Sequence, residues 1–155
     1  MANTRATREN GSGDCNRGPR WEHFEHKADI GVRGYGRSVG EAFEQVALAL
    51  TAIATDVSTV HAIETVEIEC RGTDPELLLA DWLNAIIFEG STRGMLFGRY
   101  AVDIDAGVLR AKLSGELVDR ARHQPAAEPK GATYTELRVA RQPDGLWVAQ
   151  CVIDV

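Results

Sequence analysis

The apolar positions of this chain change their period several times, and each change marks an element. Between Arg37 and Asp56, Phe43, Val46, Ala47, Leu50 and Ile53 or Ala54 recur at helical spacing. Ser38 and Glu41 stand ahead of them as an S-x-x-E capping box, so the segment predicts an amphipathic helix with one buried stripe. From Glu64 to Cys70 the pattern alternates instead, with Val66, Ile68 and Cys70 on one face and Glu67 and Glu69 on the other. That is a strand wet on one side. A second helix is predicted from Asp74, a good N-cap, through Pro75 at the first helical position to Gly90. Its apolar residues Leu78, Leu79, Trp82, Leu83, Ile86 and Ile87 cover a wide arc. It is therefore expected to be the more deeply buried helix, with Trp82 in the core.

After Gly94 the period returns to two. Met95–Asp105 and Val108–Glu116 read as strands joined by a turn at Asp105 to Gly107, with Leu109, Ala111 and Leu113 inward. A proline-bearing loop runs from about Val118 to Lys130. Two further strands, within Ala132–Ala140 and Leu146–Val155, flank Pro143, Asp144 and Gly145 and are expected to form a hairpin. At the front, Trp21–Gly36 reads as one strand. Its His23, His26, Lys27 and Asp29 stand where a core strand carries apolar side chains. The element order β-α-β-α-β-β-β-β implies an α+β fold: one domain, residues 21–155, of largely antiparallel sheets packed with two helices. Residues 1–20 offer almost nothing to bury and are expected to form a disordered tail.

Charge narrows the range of partners. The net charge of −6 is uneven: the first twenty residues are +2, which leaves −8 on the remainder. A body that acidic repels a phosphate backbone, so strong direct binding of nucleic acid is not expected, whereas a cation or a basic protein is easily accommodated. The three cysteines, Cys15, Cys70 and Cys151, are odd in number and form no C-x-x-C pair; Cys70 and Cys151 read as buried free thiols. There is no apolar run of bilayer length and no signal-peptide core, so a cytoplasmic protein is expected. Motifs for a nucleophile elbow, a phosphate loop and a zinc helix are absent.

The candidate chemistry lies at the two ends of the domain. Alternation along Trp147–Val155 puts Trp147, Ala149, Cys151, Ile153 and Val155 on one face and Gln150 and Asp154 on the other; near the front, Asp29 and Arg33 oppose Ile30 and Val32. If the terminal strands are neighbours, Asp29, Asp154 and the α-carboxylate of Val155 crowd together. Like charges across a strand pair are destabilising, and a bound cation relieves them. An all-oxygen set suits Ca2+, Mg2+ or Mn2+ better than zinc. The bland alternative is that both aspartates are solvated edge residues that never meet. His23 and His26 fall on opposite faces, which argues against a two-histidine site, while His26 and Lys27 are candidate neighbours of the carboxylates.

The segments FEHKADIGVRGYG, EAFEQVALAL, DPELLLADWLNAIIF, ATY and the terminal WVAQCVIDV, in this order, resemble the archease family. The resemblance covers Trp21 to Val155. It implies a non-catalytic accessory protein that helps an RtcB-type RNA ligase in tRNA splicing and RNA repair, promoting guanylylation of the ligase and repeated turnover, with tRNA met only through the ligase. It also implies a metal site at Asp29, Asp154 and Val155, with Ca2+ as the first candidate ion. Departures are Lys27 where a threonine is usual, Leu117 where a proline is usual, and Thr135 where a histidine is common. A metal-dependent phosphoesterase and a chaperone-like modulator of a tRNA methyltransferase are the alternative functions.

Overall fold

A computed structural model describes residues 18–155. The expected tail falls outside the described residues up to position 17, and so does Cys15; Arg20 already belongs to a strand. In chain order the elements are β1 (Arg20–His26), β2 (Asp29–Gly36), α1 (Val39–Ala54), β3 (Glu64–Arg71), α2 (Pro75–Arg93), β4 (Met95–Asp105), β5 (Val108–Leu117), a four-residue α3 (Arg120–His123), β6 (Gly131–Ala132), β7 (Arg138–Arg141) and β8 (Trp147–Asp154). A 3-10 turn at Val57–Thr59 follows α1.

The α+β class holds, with two corrections to the element order. The front segment is not one strand but the hairpin β1–β2, which reverses over Lys27 and Ala28. Lys27 takes φ 54°, a left-handed backbone that glycine or asparagine normally supplies. Nothing in the local sequence signals that turn. Similarly, the first strand of the C-terminal hairpin is split into β6 and β7, both paired with β8.

Two antiparallel sheets result. One carries β1-β2-β8-β6, with β7 also on β8; the other runs β3-β5-β4. The helices lie between them. α1 touches β1, β2 and β8 on one side and β4 on the other, and α2 bridges β3 and β4 to β6 and β7.

That placement reverses the expected burial of the helices. α1 buries Ala42, Phe43, Val46, Ala47, Ala49, Leu50, Thr51, Ile53 and Ala54, more of its length than α2, which buries Leu78, Leu79, Ala80, Trp82, Leu83 and Ile86. Small residues permit it. A Cβ on Gly34 would meet the Val46 nitrogen at 2.3 Å, and one on Gly36 the Ala42 nitrogen at 2.5 Å, so only glycines in β2 let α1 seat this closely. The helix start is capped as expected. The Glu41 N–H donates to Ser38 Oγ at 3.1 Å, while the Glu41 carboxylate accepts from the Arg37 N–H, one residue before the cap. Trp82 is fully buried in the core, and its Nε1–H donates to the Phe43 carbonyl at 3.0 Å.

Candidate functional site

The two ends of the domain meet. β2 pairs with β8 from Ile30 opposite Ile153 to Gly36 opposite Trp147, and continuing that register by one step sets Asp29 across from Asp154. Directly opposed antiparallel residues share a face with Cβ atoms roughly 5 Å apart. The face is the one turned away from α1, because Ile30, Val32, Cys151 and Ile153 pack into the core on the other. On the outer side Asp154 lies opposite Gly131 of β6, and the Lys130 N–H donates to the Asp154 main-chain oxygen at 2.7 Å. Asp154 is exposed, Asp29 is half-buried, and Val155 is half-buried against the core.

The remaining candidates separate. His23 is on the helix side, with Nε2 2.7 Å from the Ala49 carbonyl. His26 is paired with Asp29 across the hairpin, on the outer side. Its Nδ1 is buried and has no hydrogen-bond partner among the described residues. Lys27 is exposed at the turn and makes no ion pair with Asp29, Asp154 or any other described residue. Thr135 lies beside β8, its carbonyl accepting from the Val152 N–H at 3.2 Å, two residues before Asp154. Sequence reasoning began this strand at Ala132 and so missed Gly131 and the break that separates β6 from β7. The short run at Lys130 and Gly131 gives no periodic signal, although the glycine leaves no side chain beside Asp154.

This arrangement fits a hard divalent cation in its donor chemistry. Among the described residues no three His, Cys, Asp or Glu side chains converge as a metal cage. The candidate side chains are therefore the carboxylates of Asp29 and Asp154, and any further oxygen donors would have to come from the main chain. Such oxygen-rich sets suit Ca2+, and the orphaned His26 Nδ1 is a further polar atom beside Asp29.

The rest of the outer face is internally satisfied. Arg33 donates to Gln150 Oε1 at 2.8 Å and to Glu22 Oε2 at 2.7 Å, and its guanidinium lies 4.4 Å from the Phe24 ring centroid. Tyr35 also donates to Glu22, at 2.9 Å. Burial raises the Glu22 carboxyl, but these Arg33 and Tyr35 hydrogen bonds outweigh it and hold the group below the usual range. Burial pushes the Cys151 thiol up to about 12, which makes it inert core; Cys70 is only half-buried.

A second charged cluster lies in the other sheet. Arg122 forks onto Glu116 with Nη1–Oε2 at 2.7 Å and Nη2–Oε1 at 2.9 Å, and the His61 N–H adds a bond of 2.8 Å. The Asp119 N–H donates to His123 Nδ1, so Nε2 carries the ring proton and donates to Glu116 Oε2 at 2.9 Å. The Arg122 guanidinium, then the His61 N–H, hold the Glu116 carboxyl well below the usual carboxylate range against the opposing push from burial. Here every donor is supplied by the chain.

Comparison with known proteins bears on the family and the fold. The model of the archease protein family matches residues 21–155. Protein archease of Pyrococcus furiosus is 41% identical over 139 residues, covering 87% of this chain and 98% of that protein. Protein archease of Thermococcus gammatolerans is 43% identical over 140 residues, covering 88% and 99%. The solution structure of Methanobacterium thermoautotrophicum protein 1598 superposes with a TM-score of 0.77 at 32% identity, covering 87% of this chain and 98% of that one. The crystal structure of a Thermotoga maritima archease, described as a possible chaperone, shares the fold with a TM-score of 0.58 at 20% identity, covering 86% and 96%. With its whole domain matched in sequence and in architecture, the chain belongs to the archease family.

Proposed function

We propose that this protein is a non-catalytic, cytoplasmic accessory of an RtcB-type RNA ligase, acting in tRNA splicing and RNA repair by promoting the ligase's GTP- and metal-dependent guanylylation and its multiple turnover. Family membership supports the accessory role. The observation that supports the site is the β2–β8 register: Ile30 lies opposite Ile153, so Asp29 and Asp154 are the next residues along the two paired strands. Asp29, Asp154 and the Val155 carboxylate are the groups that would hold a divalent cation, Ca2+ before Mg2+ or Mn2+. When bound, such an ion supplies positive charge that offsets negative charge on phosphate oxygens.

The chain's own residues set the terms of that contact. Asp29 and Asp154 have no ion pair among the described residues, and they stand on the sheet face turned away from α1. Ile30, Val32, Cys151 and Ile153 anchor the same two strands in the core, so the carboxylates stand on a rigid support. A partner presenting a nucleotide pocket and metal can dock against such a tip without this chain contributing a nucleophile. In this reading its effect is to shift the ligase towards the conformation competent for guanylylation.

The test is a ligase guanylylation assay with wild type, Asp29→Ala and Asp154→Ala, each checked for folding by circular dichroism. Stimulation is expected to fall by about tenfold or more in both variants. Full stimulation by two folded variants would remove these carboxylates from the activity. Hydrolysis of a phosphoester by the protein alone would replace the accessory reading with a phosphoesterase.

A further inference from the structure

A second recess lies at the opposite end of β1 from Asp29. Trp21, His23, Ala52, Ile53, Asp56 and Gln124 are among the residues lining a cavity of about 530 Å3. Trp21 and His26 are five residues apart on β1, about 17 Å along the strand, so this recess is separate from the carboxylate tip.

Its chemistry has one sign. The C-terminus of α1 opens here, and the last turn of that helix contains no basic residue to offset the negative end of its dipole. The Ala54 carbonyl accepts from the Ala126 N–H and Thr51 from the Thr55 N–H, whereas the Ala52 and Ile53 carbonyls take no hydrogen bond from the described residues outside the helix. Asp56 accepts from the Ser58 N–H and hydroxyl, both at Oδ1. Its Oδ2 has no partner among the described residues. Those Ser58 bonds keep the Asp56 carboxyl below its ordinary value.

The wall is aromatic. Trp21 remains 37% exposed, and its ring centroid lies 5.3 Å from that of His23 at a tilt of 47°. The His23 Nε2 contact with a carbonyl places the ring proton there, which leaves Nδ1 as another acceptor. Among the described residues no Lys or Arg lines the recess.

An indole face, a carboxylate oxygen and free helix-end carbonyls without a competing cation are the complement of a guanidinium. Arg is weakly hydrated, stacks on aromatic faces and presents a planar fork of donors, which suits several acceptors around a ring better than an ammonium does. We infer that this recess is a docking site for an arginine side chain presented by a basic protein partner. The net charge of −6 draws such a partner in. The inference does not depend on the carboxylate tip or on the identity of the ligase.

The measurement uses the full chain alone, 15N-labelled, titrated with Nα-acetyl-arginine amide while the Trp21 indole N–H resonance is followed by NMR. A saturable shift with a Kd of roughly 1–10 mM is expected, as for one exposed side chain. Asp56→Asn retains the Ser58 cap and should weaken binding by about twofold to fivefold, as should Trp21→Leu read at neighbouring amides. Nα-acetyl-citrulline amide, neutral and of the same shape, should not bind. Equal shifts from the citrulline and arginine compounds, equal binding of the lysine analogue, or no saturation by about 50 mM arginine amide would each overturn the assignment.

Discussion

Glu116 and the Asp29–Asp154 pair are both carboxylate centres near strand ends, and the fold treats them in opposite ways. Glu116 is 11% exposed and receives a forked Arg122, the His61 N–H and His123, whose side chain is fully buried. The cluster ties the start of the Val118–Lys130 segment back onto the sheet of β3, β4 and β5. At the other end of that segment, Lys130 gives Asp154 only a main-chain bond, and neither Asp29 nor Asp154 has an ion pair among the described residues. A carboxylate whose donors are all internal serves structure. A pair that the chain leaves unneutralised has capacity for something the chain does not supply.

The strongest way to break this contrast is at Glu116. Because its carboxyl is held below the ordinary glutamate value of 4.5, its contribution is present above that pH and is lost as the pH falls towards the lower folded-state value. Glu116→Gln should therefore give the largest fall in melting temperature among these variants, by several degrees at neutral pH. It should also flatten the loss of stability below about pH 4.5 in calorimetric scans. A variant that melts with the wild type and keeps its acid slope would make Glu116 no more structural than the aspartates.

At the tip the expected effect is smaller and depends on ion. Ca2+ should raise the melting temperature of the wild type in a saturable way, equivalent to about 2.7 kcal/mol at a hundred times the Kd. Asp154→Ala should lose that shift, yet in chelator it should equal or exceed the wild type by about 0.2–1 kcal/mol, since a like-charge contact is gone. An Asp154→Ala chain that is destabilised in chelator would place Asp154 in the same class as Glu116.

The smallest effect sharpens the tip itself. Lys27→Gly relieves the left-handed backbone of the β1–β2 turn and should raise the urea midpoint by the equivalent of about 0.5–1 kcal/mol. It also removes the one cation of the turn, so the Ca2+ titration should saturate at lower concentration. Unchanged affinity would show that Lys27 does not act on the carboxylates.

Much of this was readable from residues in order. The helices, the β3–β5 alternation, the Asp105–Gly107 turn and the outward facing of Asp29 and Asp154 are local properties, set by side-chain period and turn chemistry, and the structure agrees with each. Among the expectations that failed, two have clear physical reasons. The β1–β2 hairpin reverses at Lys27 and Ala28, which carry none of the glycine, asparagine or proline signals on which turn reading depends. α1 outdoes α2 in burial because its alanines and the facing Gly34 and Gly36 allow close approach from both sides, whereas the period of large apolar residues reports only a single stripe.

The sequence by itself determined which groups carry the charge: two aspartates, each on the face of its strand opposite the apolar residues, in an acidic body. Only the tertiary structure decided that they meet. Pairing β2 with β8 joins segments more than a hundred residues apart, and its register is selected by burying Val32, Cys151 and Ile153 against α1, since a slip of one residue would turn that whole set outward. The opposition of Asp29 and Asp154 is a by-product of that hydrophobic choice, and no local pattern contains it.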